Sequence, residues 1–269
     1  MTRLDRRALF SSGAAAALLA ATGVSLDAAP RQGGRLRIAL PRGDGHLAAL
    51  ARGAAFDNLT EIAPNGALKG ELATAWRAES QGRVWFIDLR DNVTFHDGSA
   101  LRAADVAASL GETLEHARRI DQTGPAELRI ELATARPDLP FRLASPMHVI
   151  ARADGVGTGS YRTERLVDDR QYLGHRVADH YKAGHAGWVD TVEAVVIPDA
   201  AVRAEALRDG YVDIAAIPRA EALRGLPDLV FHPSSEDMAL AMRKTVGRPR
   251  AIGAGLLDDG RLAERWWLG

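Results

Sequence analysis

Apolar and polar positions alternate in RLRIAL, where Leu36, Ile38 and Leu40 stand against Arg35, Arg37 and Ala39. The pattern predicts a first strand that ends at Pro41. The loop Pro41 to Gly45 leads into LAALARGAAFDNL, which is Ala-rich and helical in character, and Pro64-Asn65-Gly66 marks a turn. Trp76 to Trp85 reads as a hairpin around Ser80-Gln81-Gly82, with Trp85, Ile87 and Leu89 on one face of its second strand. Ala103 to Arg118 places Ala103, Val106, Leu110 and Leu114 at helical spacing. AELRIEL alternates again, and the chain to Ala153 is irregular, with Pro137, Pro140 and Pro146. Three extended runs follow, SYRTERLV, QYLGHRVADHY and VDTVEAVVIP. Asp199 then caps a helix that Gly210 ends, and YVDIAAI and LPDLVFHP are short strands. The last stretches, SEDMALAMRK and LAERWWLG, are helical in pattern.

Composition narrows the function classes. The 34 basic and 35 acidic residues leave a net charge of -1, so no global field draws the 269-residue chain onto nucleic acid or anionic lipid. The absence of cysteine removes disulfides, thiolate metal sites, a cysteine nucleophile and the acylated cysteine of a lipoprotein. At the N-terminus, Arg3, Arg6 and Arg7 precede an uncharged stretch from Ala8 to Leu26 whose apolar heart is AAAALLAATGV. That heart is shorter than the roughly 20 residues of a membrane-spanning helix. It reads as an export signal over residues 1–29, and Arg6-Arg7 before Leu9-Phe10 resembles a twin-arginine signal. A periplasmic location is expected, with removal near Ala29.

Two ordered motif groups carry a family resemblance. LTEIAPNGALKGELATAWRAESQGRVWFIDLRDNVTFHDGSALRAADVAASL spans residues 59 to 110. GTGSYRTERLVDDRQYLGHRVADHYKAGHAGWVDTVEAVVIPDAAVRAEALRDGYVDIA spans residues 157 to 215. Together they resemble the extracellular solute-binding proteins, family 5, of dipeptide, oligopeptide and nickel ABC importers. The resemblance implies an α/β, type II periplasmic binding-protein fold, with an inserted subdomain at about 60–154 in a lobe over residues 30–269. The implied partners are a small-molecule or peptide solute and ABC permease subunits, with the membrane reached only through the permease. No cofactor, nucleic acid or enzymatic activity is implied. The departures are equally specific. Ser160 replaces a usual proline, Arg102 stands where a hydroxyl cap is common, and too little chain follows Ala215 for the second lobe of these proteins. The expected fold is therefore reduced, its second lobe largely missing. The competing reading is an accessory or degenerate homologue acting through protein contacts.

Candidate chemistry is sparse. His175, His180 and His185 recur every five residues, but on an extended strand the outer pair alone shares a side, about 33 Å apart, so one strand builds no metal site. GVGTGS, residues 155 to 160, lacks the third glycine and the following helix of a dinucleotide loop. His96-Asp97 sits in a turn without a G-x-S-x-G elbow, and Asp168-Asp169 and Asp258-Asp259 read as solvated pairs. If a solute binds, an open α/β lobe presents groups at strand ends. Arg42, Asp44 and His46 after the first strand, with Phe56 beyond, are the ligand-binding candidates, against an ordinary surface loop.

Overall fold

The computed structural model describes residues 30–43, 45–218, 223–233, 238–249 and 260–269. The expected export signal, Asp44 and the pair Asp258-Asp259 lie outside them.

Strand β1 (Arg35–Leu40) is parallel to β10 (Thr191–Val196) on one side and β11 (Ile214–Ala216) on the other. Parallel strands require crossovers that cover both faces, which is why these three are rich in buried aliphatics. Helix α1 (His46–Ala55) lays Leu47, Leu50 and Ala54 on Leu36, Ile38 and Ala194. On the opposite face, α4 (Ala200–Arg208) lays Ala204 and Leu207 on Ala39 and Ala215. Asp199 caps α4 by accepting from Ala201 N at 2.7 Å, and Gly210 beyond its end adopts φ 79°, as expected. The hairpin β8 (Tyr161–Val167) and β9 (Gln171–Arg176) joins antiparallel, as do β12 (Leu229–Pro233) and β13 (Met238–Arg243). The order across the seven strands is β12-β13-β11-β1-β10-β9-β8.

A second sheet, ordered β4-β5-β7-β6, combines β4 (Ala73–Glu79), β5 (Val84–Leu89), β6 (Ala117–Gly124) and β7 (Glu127–Leu132). Its inner face buries Trp85, Ile87, Leu128 and Ile130 under Val106 and Leu110 of α2 (Ala103–Thr113). The small hairpin β2 (Thr60–Ile62) and β3 (Leu68–Gly70) and the single turn α3 (Leu139–Arg142) close this unit. Asp57 and Ile150 form an antiparallel bridge where it meets the larger sheet.

Several elements differ from the sequence pattern. MALAMR is strand β13, because β11 and β12 offer it hydrogen-bonding edges on both sides. LAERWWLG forms one turn, α5 (Leu262–Arg265), and then β15 (Trp267–Leu268) against β14 (Val246–Gly247). Helix α2 stops at Thr113 so that β6, which the pattern does not predict, can pair with β7. Strand β9 stops at Arg176, and the following residues turn inward to deliver Lys182 to the interior. Arg102 is no defect as a cap, since its N–H is taken by Asp105 Oδ2 at 2.9 Å.

Candidate functional site: a cleft over a buried ion network

Past the end of α1 the chain passes through Phe56 into Asp57 and Asn58, both buried. The glycines of GVGTGS make this possible. A Cβ on Gly157 would stand 2.1 Å from Ala55 O, and one on Gly159 would stand 2.5 Å from Ala54 O. Only bare backbone comes that close. Gly159 N–H also donates to Ala55 O at 2.9 Å, satisfying a carbonyl at the helix end.

Four distant stretches converge on Asp57. Lys182 Nζ lies 2.9 Å from Asp57 Oδ1 and 3.1 Å from Glu264 Oε2, and it also donates to Glu71 Oε1. Arg261 donates to Asn58 Oδ1 at 2.6 Å and pairs with Glu71 and, at 3.4 Å, with Asp57. Thr158 Oγ1 donates to Asp57 Oδ2 at 2.9 Å, and Ser160 Oγ to Glu264 Oε2 at 3.0 Å. The serine in place of proline is thus a working member of the network. Lys182 N–H donates to His180 Nδ1, which places that ring's proton on Nε2, donating to Thr158 O at 2.7 Å.

Three carboxylates here face two cations, so full ionisation would bury one uncompensated negative charge. Burial pushes the Glu71 carboxyl up to about 8, against the pull of Arg261 and Lys182. Burial also pushes on Asp57 and Glu264, but there Lys182 and Arg261 prevail and hold both below their ordinary values. Of the three, Glu71 is the carboxyl that burial raises. Oxygens of Glu61, Glu71 and Glu264 lie within 4.8 Å of one another, the spacing of a metal site. Arg261 and Lys182 on Glu71, Lys182 on Glu264, and Arg265 on Glu61 at 3.4 Å already supply the positive charge a metal ion would bring.

Arg261 and Asn58 form the floor of a cleft of about 250 Å³. Ala49 and Gly53 of α1 form one wall, Val149 the other, and Arg52 and Glu61 bring opposite charges to it. The cleft exists because α1 presents small residues there. A Cβ on Gly53 would meet Gly260 C at 2.4 Å, so helix and C-terminal segment touch backbone to backbone.

The sequence candidates do not gather into one site. Arg42 is exposed in the loop after β1, and Asp44 is outside the described residues. His46 opens α1 and lines a hollow of about 180 Å³ with Pro41 and Val196, at the carboxyl ends of β1 and β10. It shares a face of α1 with Ala49 and Gly53, three and seven positions on. Phe56 lies ten residues from His46, about 15 Å along the helix, and lines a separate hollow. Of the three histidines, His175 pairs with Glu164, His180 is in the network and His185 is exposed. Asp57, Glu71, Lys182 and Arg261 had no local signature; partners up to 204 positions apart leave none.

Comparison with known proteins matches this architecture. The family described as bacterial extracellular solute-binding proteins, family 5 Middle, matches residues 67–235. The chain is 30% identical over 164 residues to the HTH-type transcriptional regulator SgrR of Photorhabdus laumondii, covering 54% of this chain and 29% of that one. It is 25% identical over 139 residues to the probable D,D-dipeptide-binding periplasmic protein DdpA of Escherichia coli, covering 49% and 27%. The chain thus spans less than a third of the length of these relatives. The periplasmic binding protein DppA of Helicobacter pylori, solved with the peptide STSA, superposes with a TM-score of 0.67 at 22% identity, over 75% of this chain and 50% of that one. The fold is a reduced periplasmic binding-protein fold. The chain belongs to family 5 of the bacterial extracellular solute-binding proteins, a family of non-enzymatic binding proteins of ABC importers.

Proposed function

We propose that this chain is the solute-capturing component of a peptide-type ABC import system. It is exported by the twin-arginine-like signal of residues 1–29 and works beside ABC permease subunits. The observation that carries the reading is the cleft on α1. Small residues admit a solute chain against the helix, while Arg52 and Glu61 offer one charge of each sign to a zwitterionic peptide. Arg42 and His46, after β1, are proposed as further contacts for the solute's charged groups, as is Asp44 from the sequence, which lies outside the described residues. Residues 60–154 act as an inserted subdomain, which the separate core under α2 supports.

The cleft's 250 Å³ falls below the roughly 300–1,000 Å³ of complete small-molecule sites. This chain therefore buries part of its solute. A thermal melt of the purified protein against di- and oligopeptides, nickel chelates and sugars tests the reading, because binding to the folded state raises the midpoint. A dose-dependent rise with peptides is expected, stabilising by about 2.7 kcal/mol at a hundredfold excess over Kd. A rise with chelates or sugars alone would replace the solute class. A midpoint unmoved by every compound would favour the second reading, an accessory chain acting through protein contacts. That reading is supported by a relative named as a regulator.

A further inference from the structure

Three sequence features that the cleft leaves unused meet at the far end of α1. Phe56 after the helix, His96-Asp97 of the turn beyond β5, Gly155 to Gly157 and Arg162 of β8 line an open hollow of about 390 Å³. That volume lies within the range of small-molecule sites. Among these lining residues, none also lines the cleft over Arg261.

The walls are fixed. A Cβ on Gly157 would stand 2.6 Å from the Phe56 ring, so ring and backbone are in direct contact. His96 is held twice, its backbone N–H donating to Gly157 O at 2.9 Å and its Nε2 bonded to Gly159 O at 2.8 Å. A carbonyl can only accept, so the ring proton is on Nε2 and Nδ1 keeps a free lone pair. Burial holds the imidazole below its ordinary pKa, which keeps it neutral at pH 7. Asp97 is held ionised by the Ser99 hydroxyl and amide and by Arg152. Arg162 donates one bond to His96 O, and among the described residues no ion pair is formed by it. A guanidinium has five N–H groups, so most of its fork is available.

The hollow therefore offers an unpaired cation, a carboxylate with a neighbouring neutral acceptor, and an apolar floor of Ala55, Phe56 and Val156. We infer that it is a second site, taking a free apolar α-amino acid. The ligand carboxylate pairs with Arg162, its ammonium with Asp97 and His96 Nδ1, and its side chain lies on Phe56. A bidentate pair to a carboxylate suits arginine's geometry. The two charges of an amino acid are only a few bonds apart, whereas those of a longer peptide are not, so the hollow selects single residues.

Calorimetric titration of the purified protein with L-phenylalanine and L-leucine tests this. Saturable binding is expected, weakened at least about tenfold for phenylalaninamide, which lacks the carboxylate, and for N-acetylphenylalanine, which lacks the ammonium. Arg162→Gln at this exposed position should weaken L-phenylalanine by about ten- to a hundredfold, and Arg162→Lys by less, since it keeps the charge. The His96 ring resonance should shift on binding. Absence of saturable binding up to roughly 10 mM, tenfold beyond a millimolar Kd, would overturn the inference. So would an affinity unchanged by Arg162→Gln. Peptide stabilisation is read separately: amino-acid binding without it leaves this site standing and the cleft reading failed.

Discussion

Glu71 is one buried residue whose raised carboxyl bears on the pH response of the chain. Its carboxyl touches Lys182 and Arg261 and accepts from Asn58 N at 2.6 Å, yet burial raises it to about 8 because the network already holds two other carboxylates. A carboxyl raised on folding contributes stability that is complete below its ordinary pKa of 4.5 and is lost as pH rises through about 8. Asp57 and Glu264 have the opposite sign, and their contribution is lost as pH falls through the range below 4.5. Stability should therefore decline between about pH 5 and pH 8, and Glu71→Gln, which mimics the protonated state, should flatten that decline. Thermal melts of both proteins across the window check it; parallel slopes would place the proton elsewhere in the network. None of this is legible in the sequence, where Asp57, Glu71 and Lys182 are ordinary charges in unremarkable surroundings. Charge pairs near in sequence, such as Asp168-Asp169, are the ones that pattern reading notices, and those are exposed.

Among the elements, legibility follows burial on one side. β5 and β7 show clean alternation because one face is buried and the other solvated, and both lie where the pattern puts them. β13 has a helical pattern because Met, Ala and Leu favour a helix, and only its place between β11 and β12 overrides that preference. The glycines divide the same way. Gly53 sits inside α1, where alanine would ordinarily be better by about 0.5–1 kcal/mol. Its place against Gly260 reverses the sign: Gly53→Ala would drive the C-terminal segment off the helix and should cost about 1–3 kcal/mol as overpacking does. Gly111, inside α2 with open space for 4 Å around the place a Cβ would take, is the control, and Gly111→Ala should stabilise by about 0.4–1 kcal/mol. Chemical denaturation of the two variants reads both signs; a stabilising Gly53→Ala would show that the close approach is not required.

At the scale of the molecule, the ion network lies where the two sheets and the C-terminal segment meet. Asp57 follows α1 of the larger sheet, Glu71 precedes β4 of the smaller one, and Glu264 lies in α5. Lys182 touches all three. The core between α1 and the larger sheet and the core of the smaller sheet are separate clusters, and the bridge between Asp57 and Ile150 lies where the two sheets meet. Removing one partner of a buried ion network leaves charge uncompensated and typically costs about 3–5 kcal/mol. Lys182→Met leaves the Asp57 and Glu264 carboxylates less fully compensated, and their repulsion acts between the larger sheet and the C-terminal segment at its junction with the smaller sheet. Each sheet keeps its own core, so the loss should fall on their coupling. The wild-type chain should unfold in one calorimetric transition, whereas Lys182→Met should unfold in two, the lower one also releasing the segment that carries Arg261. Because Arg261 floors the cleft, peptide stabilisation should disappear with that lower transition. A single transition shifted downward as a whole would mean that apolar contacts at the junction, and not Lys182, make the two sheets one cooperative unit.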